Sequence, residues 1–394
     1  MKKSITDIEV KGKKVLVRVD FNVPINNDFK ITDDTRIVEA LPTINYLIDN
    51  GARLILCSHL GRPEGVFNTK LSLRPVVSCL TRHLNKPITL IEDIYDENAN
   101  KVIDSMQDGE VVMLENIRFW KGEEKNDKEF CEKLASFAEL FVFDAFATAH
   151  RKHASCYGVA KLLPNAVGFL VEKELEVFDK ILSEPEHPFV AIMGGAKVSD
   201  KIPVIENLLD KVDTVLIGGG MSYTFVKAIG GEVGTSLVDK QQLDVANEIL
   251  EKAKANNVKI ILPIDNYGAD QFSNNAKIKR FNSGFFSKDF QGMDIGPRTT
   301  RCFKHIIKDA KTIVWNGPMG VYEFPNFRRG TRKIAKYVAQ SKAVSVIGGG
   351  DTIAAVQELG FIDKVTHLST GGGASLKLLE GSSLPCVDVI EDKE

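Results

Sequence analysis

The chain has 394 residues, of which 43% are hydrophobic and 26% charged, and its formal net charge is −2. This length exceeds the size at which a single hydrophobic core stops growing, so we expect two domains. The nearly balanced charge argues against nucleic acid or an anionic membrane as a partner, and no apolar run is long enough to span a bilayer.

The start of the chain and its cysteines predict a cytoplasmic protein. The first residues lack the apolar segment of a signal peptide. Six cysteines are scattered without a CxxC pair, and this spacing argues against a zinc site and against a disulfide framework. We expect them to be reduced and to pack as small apolar side chains.

Short apolar strands alternate with amphipathic helices in the first half, which is typical of an α/β fold with parallel strands. A helix is predicted over residues 34–49, capped by Asp33 or Asp34 and kinked or restarted at Pro42. The strands are predicted at residues 15–19, 53–57, 111–114 and 140–143.

Basic side chains lie in or near the loops that follow these strands. Ligands of open α/β sheets bind outside the carboxyl ends of the strands, so we expect these side chains to form one basic cleft. Arginine matches carboxylate and phosphate geometry, which favours an anionic small molecule, although any one of them alone reads as a solvated surface charge. They are Arg36, His59, Arg62, Arg118 and Arg151. Asp20 and Asn22 could accept hydrogen bonds from substrate hydroxyls, or serve only the turn before Pro24.

Residues 172–182 form a predicted helix with Leu175, Phe178 and Leu182 on one face. It precedes a new series of strands, so we interpret it as the connector between two domains. An ordinary surface helix within one domain is the alternative.

The second half repeats a strand, a glycine-rich turn and a helix. Such glycines expose backbone, and the free N–H groups of a helix's first turn bind anions, although tight turns alone also use glycine. The recurrence predicts a second doubly wound domain with a nucleotide-like ligand at its strand ends. The glycine clusters are Gly194-Gly195, Gly218–Gly220, Gly348–Gly350 and Gly371–Gly373.

Two further features indicate a phosphorylated ligand. A helix is predicted to start near Ser199, with Pro203 in its first turn, and Lys197 and Lys201 flank that start. Two lysines there oppose the helix dipole unless an anion joins them. Asp351 is either a helix N-cap or a carboxylate ligand for Mg²⁺, and the adjacent glycines favour the second interpretation.

Two common nucleotide-binding motifs are missing from the sequence. It contains no GxxxxGK[ST] loop, and its glycine triplets do not fit the GxGxxG fingerprint. Both a P-loop ATPase and an NAD-linked dehydrogenase are therefore disfavoured. A phosphoryl transferase remains, with an anionic acceptor in one half and Mg-nucleotide in the other.

These motifs, in this order, closely resemble the phosphoglycerate kinase family. They extend over almost the whole chain. The matching stretches are Arg18–Pro24, Ser58–Pro63, Leu114–Phe119, Asp144–Ser155, Gly194–Ile202, Gly218–Phe225, Val314–Glu323, Gly348–Ala355 and His367–Glu380.

The resemblance implies two doubly wound, Rossmann-like α/β domains joined by a helix, with a cleft between them. Residues 1–170 would bind 3-phosphoglycerate, 171–185 would form the connecting helix, and 186–383 would bind Mg-nucleotide. The tail, 384–394, would pack on the first domain. The implied reaction is reversible phosphoryl transfer from 1,3-bisphosphoglycerate to ADP after domain closure, by a cytoplasmic monomer with small-molecule substrates, Mg²⁺ and ATP/ADP.

The resemblance also assigns residues to roles. Substrate would bind to Asp20, Phe21, Asn22, Arg36, His59, Leu60, Gly61, Arg62, Arg118 and Arg151. Nucleotide would bind to Gly195, Ala196, Lys197, Lys201, Gly219, Gly220, Gly292, Asn316, Pro318, Val321, Glu323, Gly349, Gly350, Asp351 and Thr352, with Asp351 facing the metal. The catalytic residues would be Arg36, Lys197, Lys201, Gly371, Gly372 and Gly373.

Three positions depart from the family pattern: Ala147, Ser222 and Cys386. Ala147 would shift the loop before Arg151 if that position required a positive φ. The other two touch no catalytic assignment. The remaining alternative is a non-catalytic nucleotide-binding protein on the same scaffold.

Overall fold

The computed structural model describes residues 1–393. Its contacts divide the chain into two compact units. The first comprises Met1–Glu176 together with the C-terminal residues from Ser383 onward, and the second comprises Val177–Ser382. None of the helices in the described residues is both long enough and apolar enough to cross a membrane.

The first unit is built on a six-stranded parallel sheet. In chain order its strands are β1 (Lys14–Val19), β2 (Arg53–Cys57), β3 (Ile88–Ile91), β4 (Val111–Leu114), β5 (Leu140–Asp144) and β6 (Asn165–Val167). Their order across the sheet is β3-β4-β2-β1-β5-β6. Val15 pairs with Leu54 on one side and Leu140 on the other, and β1 and β5 are almost completely buried, as expected when helices cover both faces.

Helices connect these strands, and one more follows the last of them. They are α1 (Thr35–Asp49), α2 (Arg74–Leu84), α3 (Glu97–Asp104), α4 (Gly122–Lys125), α5 (Lys128–Ala135) and α6 (Phe169–Ser183). Aspartates cap two of them, since Asp96 accepts a hydrogen bond from the Asn98 amide and Asp127 accepts one from the Phe130 amide. Helix α6 extends the predicted connector by a few residues at its start and by one at its end.

Helix α1 agrees with the prediction over almost its whole length. It is one helix from Thr35 to Asp49, so Pro42 does not start a fresh segment. Asp34 occupies the N-cap position but makes no capping bond with its side chain. Asp33 instead accepts a 2.9 Å hydrogen bond from the Thr35 amide.

The second unit contains nine strands in two sheets. The strands are β7 (Phe189–Met193), β8 (Thr214–Ile217), β9 (Lys259–Ile261), β10 (Asp265–Ala269), β11 (Ile278–Asn282), β12 (Gln291–Ile295), β13 (Thr312–Asn316), β14 (Val344–Gly348) and β15 (His367–Leu368). The parallel sheet has the order β15-β14-β13-β7-β8-β9, and β11-β10-β12 form an antiparallel sheet. Both predicted parallel α/β sheets are therefore confirmed, whereas the antiparallel sheet was not predicted.

Helices alternate with the strands of this unit. They are α7 (Ile202–Leu208), α8 (Ser222–Ala228), α9 (Leu243–Ala255), α10 (Pro297–Asp309), α11 (Arg329–Gln340), α12 (Gly350–Glu358) and α13 (Gly373–Leu379). Trp315 in β13 and Phe303 in α10 are fully buried in one apolar core.

The C-terminal residues contain a short helix, α14 (Pro385–Asp388), and belong to the first unit. The Cys386 amide donates a 3.1 Å hydrogen bond to the Ala149 carbonyl, and the Lys3 amide donates one of 2.8 Å to Glu391. Ala147, in the same region as Ala149, does not have a positive φ, so alanine fits this position without backbone strain.

Candidate active site

Charged side chains meet at the carboxyl ends of β1 and β2. Asp20 follows β1 directly and accepts a hydrogen bond from Arg36, which lies in the first turn of α1. His59 follows β2, and its Nδ1 lies 3.9 Å from Asp20 Oδ1. Asp20 and His59 are mostly buried, whereas Arg36 is 38% exposed. The predicted cluster of polar residues at this sheet edge is therefore present.

His59 is held as a neutral imidazole. Burial lowers its pKa well below the usual value, and the positive charges of four arginines lower it further: Arg18, Arg118, Arg36 and Arg151. Arg18 Nη2 lies 3.1 Å from His59 Nδ1. Because arginine can only donate, Nδ1 accepts, and the ring proton is assigned to Nε2. The ring can therefore donate a hydrogen bond from Nε2, but it carries no positive charge.

Arg118 is the most deeply buried of the predicted basic residues, with a side chain only 4% exposed. Its Nη1 donates a 2.9 Å hydrogen bond to the Gly61 carbonyl. Its Nε lies 3.4 Å from Glu124 Oε1, but neither Nε nor Nη2 has a hydrogen-bond partner among the described residues. Burying a guanidinium with free donors is costly, so this arrangement favours an anionic ligand.

The loops after β1 and β2 are fixed to each other by hydrogen bonds between side chains and backbone groups. Asn22 Oδ1 accepts a 2.9 Å hydrogen bond from the Gly61 amide, and the Phe21 amide donates one of 2.8 Å to the Ser58 hydroxyl. Asn116 exchanges hydrogen bonds with both backbone groups of Leu60. Phe21 and Leu60 are buried apolar side chains, so they position the loops and do not offer polar groups.

Arg62 and Arg151 differ in their burial and in their effect on His59. Arg62 is exposed, and its charge is not among the largest that act on His59. Arg151 is half-buried, acts on His59, and donates from Nε to His150 Nε2 at 3.1 Å. Three of the four predicted arginines therefore converge on His59, and Arg62 lies at the solvent-exposed side.

Arg18 was not assigned to the site from the sequence. It is fully buried, and its Nη2 is a hydrogen-bond partner of His59 Nδ1. Its Nε donates a 2.8 Å hydrogen bond to Ser155 Oγ, which also bonds to the buried carboxylate of Glu123. The sequence carried a signal for it, since a charged residue inside an otherwise apolar buried strand requires a buried partner.

The glycine-rich turns of the second unit interlock. The Gly195 amide donates to the Pro318 carbonyl at 2.8 Å, and the Met221 amide donates to the Gly195 carbonyl at 3.0 Å. Gly219 has a φ of +64°, and a Cβ on it would lie 2.6 Å from the Gly195 nitrogen. The turns after β7, β8 and β13 can approach this closely only because Gly219 lacks a side chain.

Lys201 is the buried lysine of this region. Only 9% of it is exposed, and its ammonium donates a hydrogen bond to Asn316 Oδ1 at the end of β13. Burial lowers its pKa to about 8, while the negative charges of Asp200 and Glu380 act in the opposite direction. Asn316 Nδ2 is buried without a hydrogen-bond partner among the described residues. The Nδ2 group of Asn316 is therefore free to donate to a ligand.

The prediction for the helix after β7 was partly wrong. Helix α7 begins at Ile202 rather than near Ser199, with Lys201 at its N-cap position. Pro203 does fall in its first turn, where its missing N–H has no consequence. Lys197 and Ala196 are exposed and lie in the preceding turn. Of the two lysines, Lys201 is the one that is buried and hydrogen-bonded to Asn316.

Helix α12 begins directly after the glycines that follow β14. Gly349 has a φ of +90°, and Gly350 is the first helical residue. Thr352 is fully buried, and its Oγ1 accepts a 2.8 Å hydrogen bond from the Gly317 amide, so it joins this turn to the one after β13. Asp351 is exposed in the first turn of the helix.

The last glycine cluster precedes α13. Gly372 has φ +50° and ψ −109°, a backbone conformation that residues other than glycine rarely adopt. No atom lies within 4 Å of a Cβ built at this position. Ser369 Oγ, directly after β15, lies 2.5 Å from Ser375 Oγ in the first turn of α13. Helix α13 packs on α7, where Asn207 Nδ2 donates a 2.9 Å hydrogen bond to the Leu379 carbonyl.

The residues assigned to the adenine and ribose lie near the antiparallel sheet. A Cβ on Gly292 would lie 2.0 Å from the ring of Tyr223, and the Gly292 amide donates a 2.8 Å hydrogen bond to Ser236. Val321 packs with an apolar cluster around Met293, and its amide bonds to the Met293 carbonyl at 2.8 Å. Glu323 is exposed two residues further on.

Two parallel sheets whose strands end in basic or glycine-rich loops define a doubly wound α/β protein. The family model for phosphoglycerate kinase matches residues 5–382. The phosphoglycerate kinase of Clostridium botulinum is 53% identical over 395 residues, which cover 100% of this chain and 99% of the relative. The phosphoglycerate kinase of Dictyoglomus turgidum is 53% identical over 396 residues, which cover 100% of each chain.

Solved structures agree with these relatives. The phosphoglycerate kinase of Coxiella burnetii superimposes with a TM-score of 0.90 at 42% identity, covering 99% of both chains. That of Pyrococcus horikoshii gives a TM-score of 0.85 at 35% identity, covering 99% of this chain and 98% of the other. The chain belongs to the phosphoglycerate kinase family, which comprises phosphotransferases with a carboxyl group as acceptor and ATP or ADP as co-substrate. The predicted family is confirmed, and a non-catalytic role is not favoured.

Proposed function

We propose that the first unit binds 3-phosphoglycerate or 1,3-bisphosphoglycerate, and that the second unit binds the nucleotide. The observation that carries this proposal is Arg118, a buried guanidinium with two nitrogens free of hydrogen bonds, beside Asp20, Arg36 and His59. Arginines would bind the substrate's phosphate and carboxylate, and Asp20 would accept from its hydroxyl group. Neutral His59 would donate from Nε2.

The second unit would hold the nucleotide phosphates among its glycine-rich turns. Lys201 and the free Nδ2 of Asn316 offer donors in one place, and Thr352 fixes the turn beside them. Gly292, Val321 and Glu323 would form the adenine and ribose side. The other proposed contacts are Gly195, Ala196, Lys197, Gly219, Gly220, Pro318, Gly349, Gly350 and Asp351.

Asp351 is the residue proposed to hold Mg²⁺. Its donor chemistry fits, because Mg²⁺ in proteins usually takes one or two carboxylates together with substrate phosphates, and this carboxylate is exposed in the first turn of α12. When bound, Mg²⁺ supplies positive charge that shields the nucleotide phosphates.

The proposed transfer depends on placement and charge. In the direction of ATP consumption the acceptor is already a carboxylate, so no general base is needed. Arg36, Lys197, Lys201 and the amides of Gly371–Gly373 would stabilise the charge on the phosphoryl group in flight. Because the donor and the acceptor bind to different units, we propose that the units close on their ligands, which also keeps water from the acyl phosphate. We further propose a cytoplasmic monomer.

ATP-dependent turnover of 3-phosphoglycerate by the purified full chain tests this proposal. Arg118→Lys is the informative variant, because it keeps a positive charge but loses the planar fork. We expect KM for 3-phosphoglycerate to rise by about 10–100-fold, which corresponds to losing roughly 1.5–3 kcal/mol for a charged hydrogen bond. KM for ATP should stay unchanged. Equal rises in both would contradict the assignment of Arg118 to the first substrate.

A further inference from the structure

Three side chains of types that commonly ligate metals lie close together outside the proposed active site. Asp34 precedes α1, and Cys79 and His83 lie four residues apart on α2, so both face the same side of that helix. One possible ligand atom from each lies within 4.8 Å of the others, and this is the only such group of three among residues 1–393. We call it the Asp34–Cys79–His83 group.

The distances resemble one face of a tetrahedral zinc site. Asp34 Oδ2 lies 3.0 Å from His83 Nε2 and 3.8 Å from Cys79 Sγ. Ligand atoms around tetrahedral Zn²⁺ lie about 3.3–3.8 Å apart, given bonds of about 2.0 Å to oxygen and nitrogen and about 2.3 Å to sulfur. Small rotations of the side chains would therefore complete the face. Nitrogen, oxygen and sulfur together are a donor set that suits zinc and not Mg²⁺.

The orientation of Asp34 is a second, independent observation. Aspartate at an N-cap position normally accepts a hydrogen bond from the first turn of its helix. Asp34 makes no such bond, and its carboxylate instead contacts Cys79 and His83. Asp33 accepts from the Thr35 amide in its place. Asp34 is therefore available as a ligand without loss of a cap.

We propose that the Asp34–Cys79–His83 group binds one Zn²⁺ ion, with water in the fourth position. Cys79 is 2% exposed, whereas the side chains of His83 and Asp34 are 32% and 47% exposed, which leaves the metal an entry path. The ion would tie the start of α1 to the end of α2. The alternative without a metal is an ordinary ion pair between Asp34 and His83.

Two features oppose binding and must be overcome. Burial raises the pKa of the Cys79 thiol. Arg82 hydrogen-bonds to this thiol and lowers its pKa, but its positive charge lies close to the proposed position of the ion. Zinc must displace the thiol proton, as it does in other thiolate sites. Arg82 is exposed, so its side chain is free to turn into solvent.

Calorimetric titration of the metal-free full chain with Zn²⁺ tests the proposal. We expect one equivalent to bind to the unaltered chain. Asp34→Asn and His83→Gln should each weaken that binding by at least about tenfold, since even the partners of zinc ligands contribute about 10–100-fold. Asp34→Asn removes the carboxylate at nearly constant size and costs no cap, because the Asp34 side chain makes no capping bond. His305→Gln is the matched control, because His305 is an exposed histidine three residues after Cys302 on α10, outside any such group.

Cobalt provides a readout that an ion pair alone cannot give. Co²⁺ bound through a thiolate shows a charge-transfer absorption, and we expect this band in the unaltered chain and its loss in Cys79→Ser. A chain that binds Co²⁺ without the band, or zinc affinity that is equal in His83→Gln and the unaltered chain, would overturn the proposal. His83→Gln alters an exposed residue, so its result does not depend on the tolerance of the core to Cys79→Ser.

Discussion

Lys201 is the residue on which the proposed chemistry of the second unit depends most. It is buried, its ammonium bonds to Asn316, and burial lowers its pKa to about 8. We expect Lys201→Ala to lower kcat by roughly 10²–10³-fold, by analogy with the loss of one preorganised donor to a transition state. A coupled assay measures this. An unchanged kcat would remove Lys201 from the mechanism.

The lowered pKa of Lys201 also predicts a pH dependence. A lysine with a pKa of about 8 loses its positive charge as the pH rises through that value. We therefore expect kcat/KM for ATP to fall above pH 8, while kcat should hold to higher pH because bound phosphate favours the charged form.

The matched variant for this pH dependence is Lys201→Arg, whose side chain stays charged throughout the range. It should lack the decline in kcat/KM near pH 8, even if its overall activity is lower. The same decline in both proteins would assign the titration to another group.

At the scale of elements, the glycine turn before α13 requires a backbone conformation that favours glycine. Gly372 occupies a backbone conformation that suits glycine, yet a side chain there would meet no atom within 4 Å. We expect Gly372→Val to lower kcat more than it raises KM for ADP, because the strain displaces amides proposed to act on the phosphoryl group in flight.

The control for Gly372→Val is Gly360→Ala, which also has a positive φ and no neighbouring atom within 4 Å of its Cβ, but lies outside the proposed site. It should leave both kinetic constants unchanged. Equal losses in kcat and in nucleotide affinity for Gly372→Val would make the turn a general phosphate loop.

Gly292 is required for a different reason, since a Cβ there would lie 2.0 Å from the Tyr223 ring. We expect Gly292→Ala to lower the free energy of unfolding by about 1–3 kcal/mol, the usual cost of overpacking. Urea unfolding measures it. Gly350→Ala, which meets no atom within 4 Å and has no positive φ, should change stability little; if the two variants unfold alike, the close contact is not what requires glycine at 292.

The sequence predicted four of the six parallel strands of the first unit, because each is an apolar run followed by a polar loop. It missed β3, which is partly exposed, and β6, which has only three residues and begins with a polar one. It missed the sheet of β10, β11 and β12, where burial is irregular and β11 is mostly exposed. It placed the start of α7 three residues early because the turn at 199–201 resembles a first helical turn in composition. Lys201 and Asn316 were both expected to bind nucleotide, but their direct contact spans 115 residues and no local pattern shows it.

At the scale of the whole molecule, proposed binding of the two substrates to separate units predicts a change in shape. We expect 3-phosphoglycerate and Mg-nucleotide together to lower the radius of gyration, whereas either ligand alone should have a smaller effect. Small-angle scattering measures this directly. A radius of gyration that is the same with both ligands and with none would count against closure.

The central claim is that this chain transfers phosphoryl groups between ATP and 3-phosphoglycerate, and turnover in a coupled assay tests it most directly. The account predicts ATP- and 3-phosphoglycerate-dependent product formation by the unaltered chain, with activity reduced roughly 10²–10³-fold in Lys201→Ala. Nucleotide binding by the unaltered chain without any such turnover would contradict the claim and support a non-catalytic nucleotide-binding protein instead.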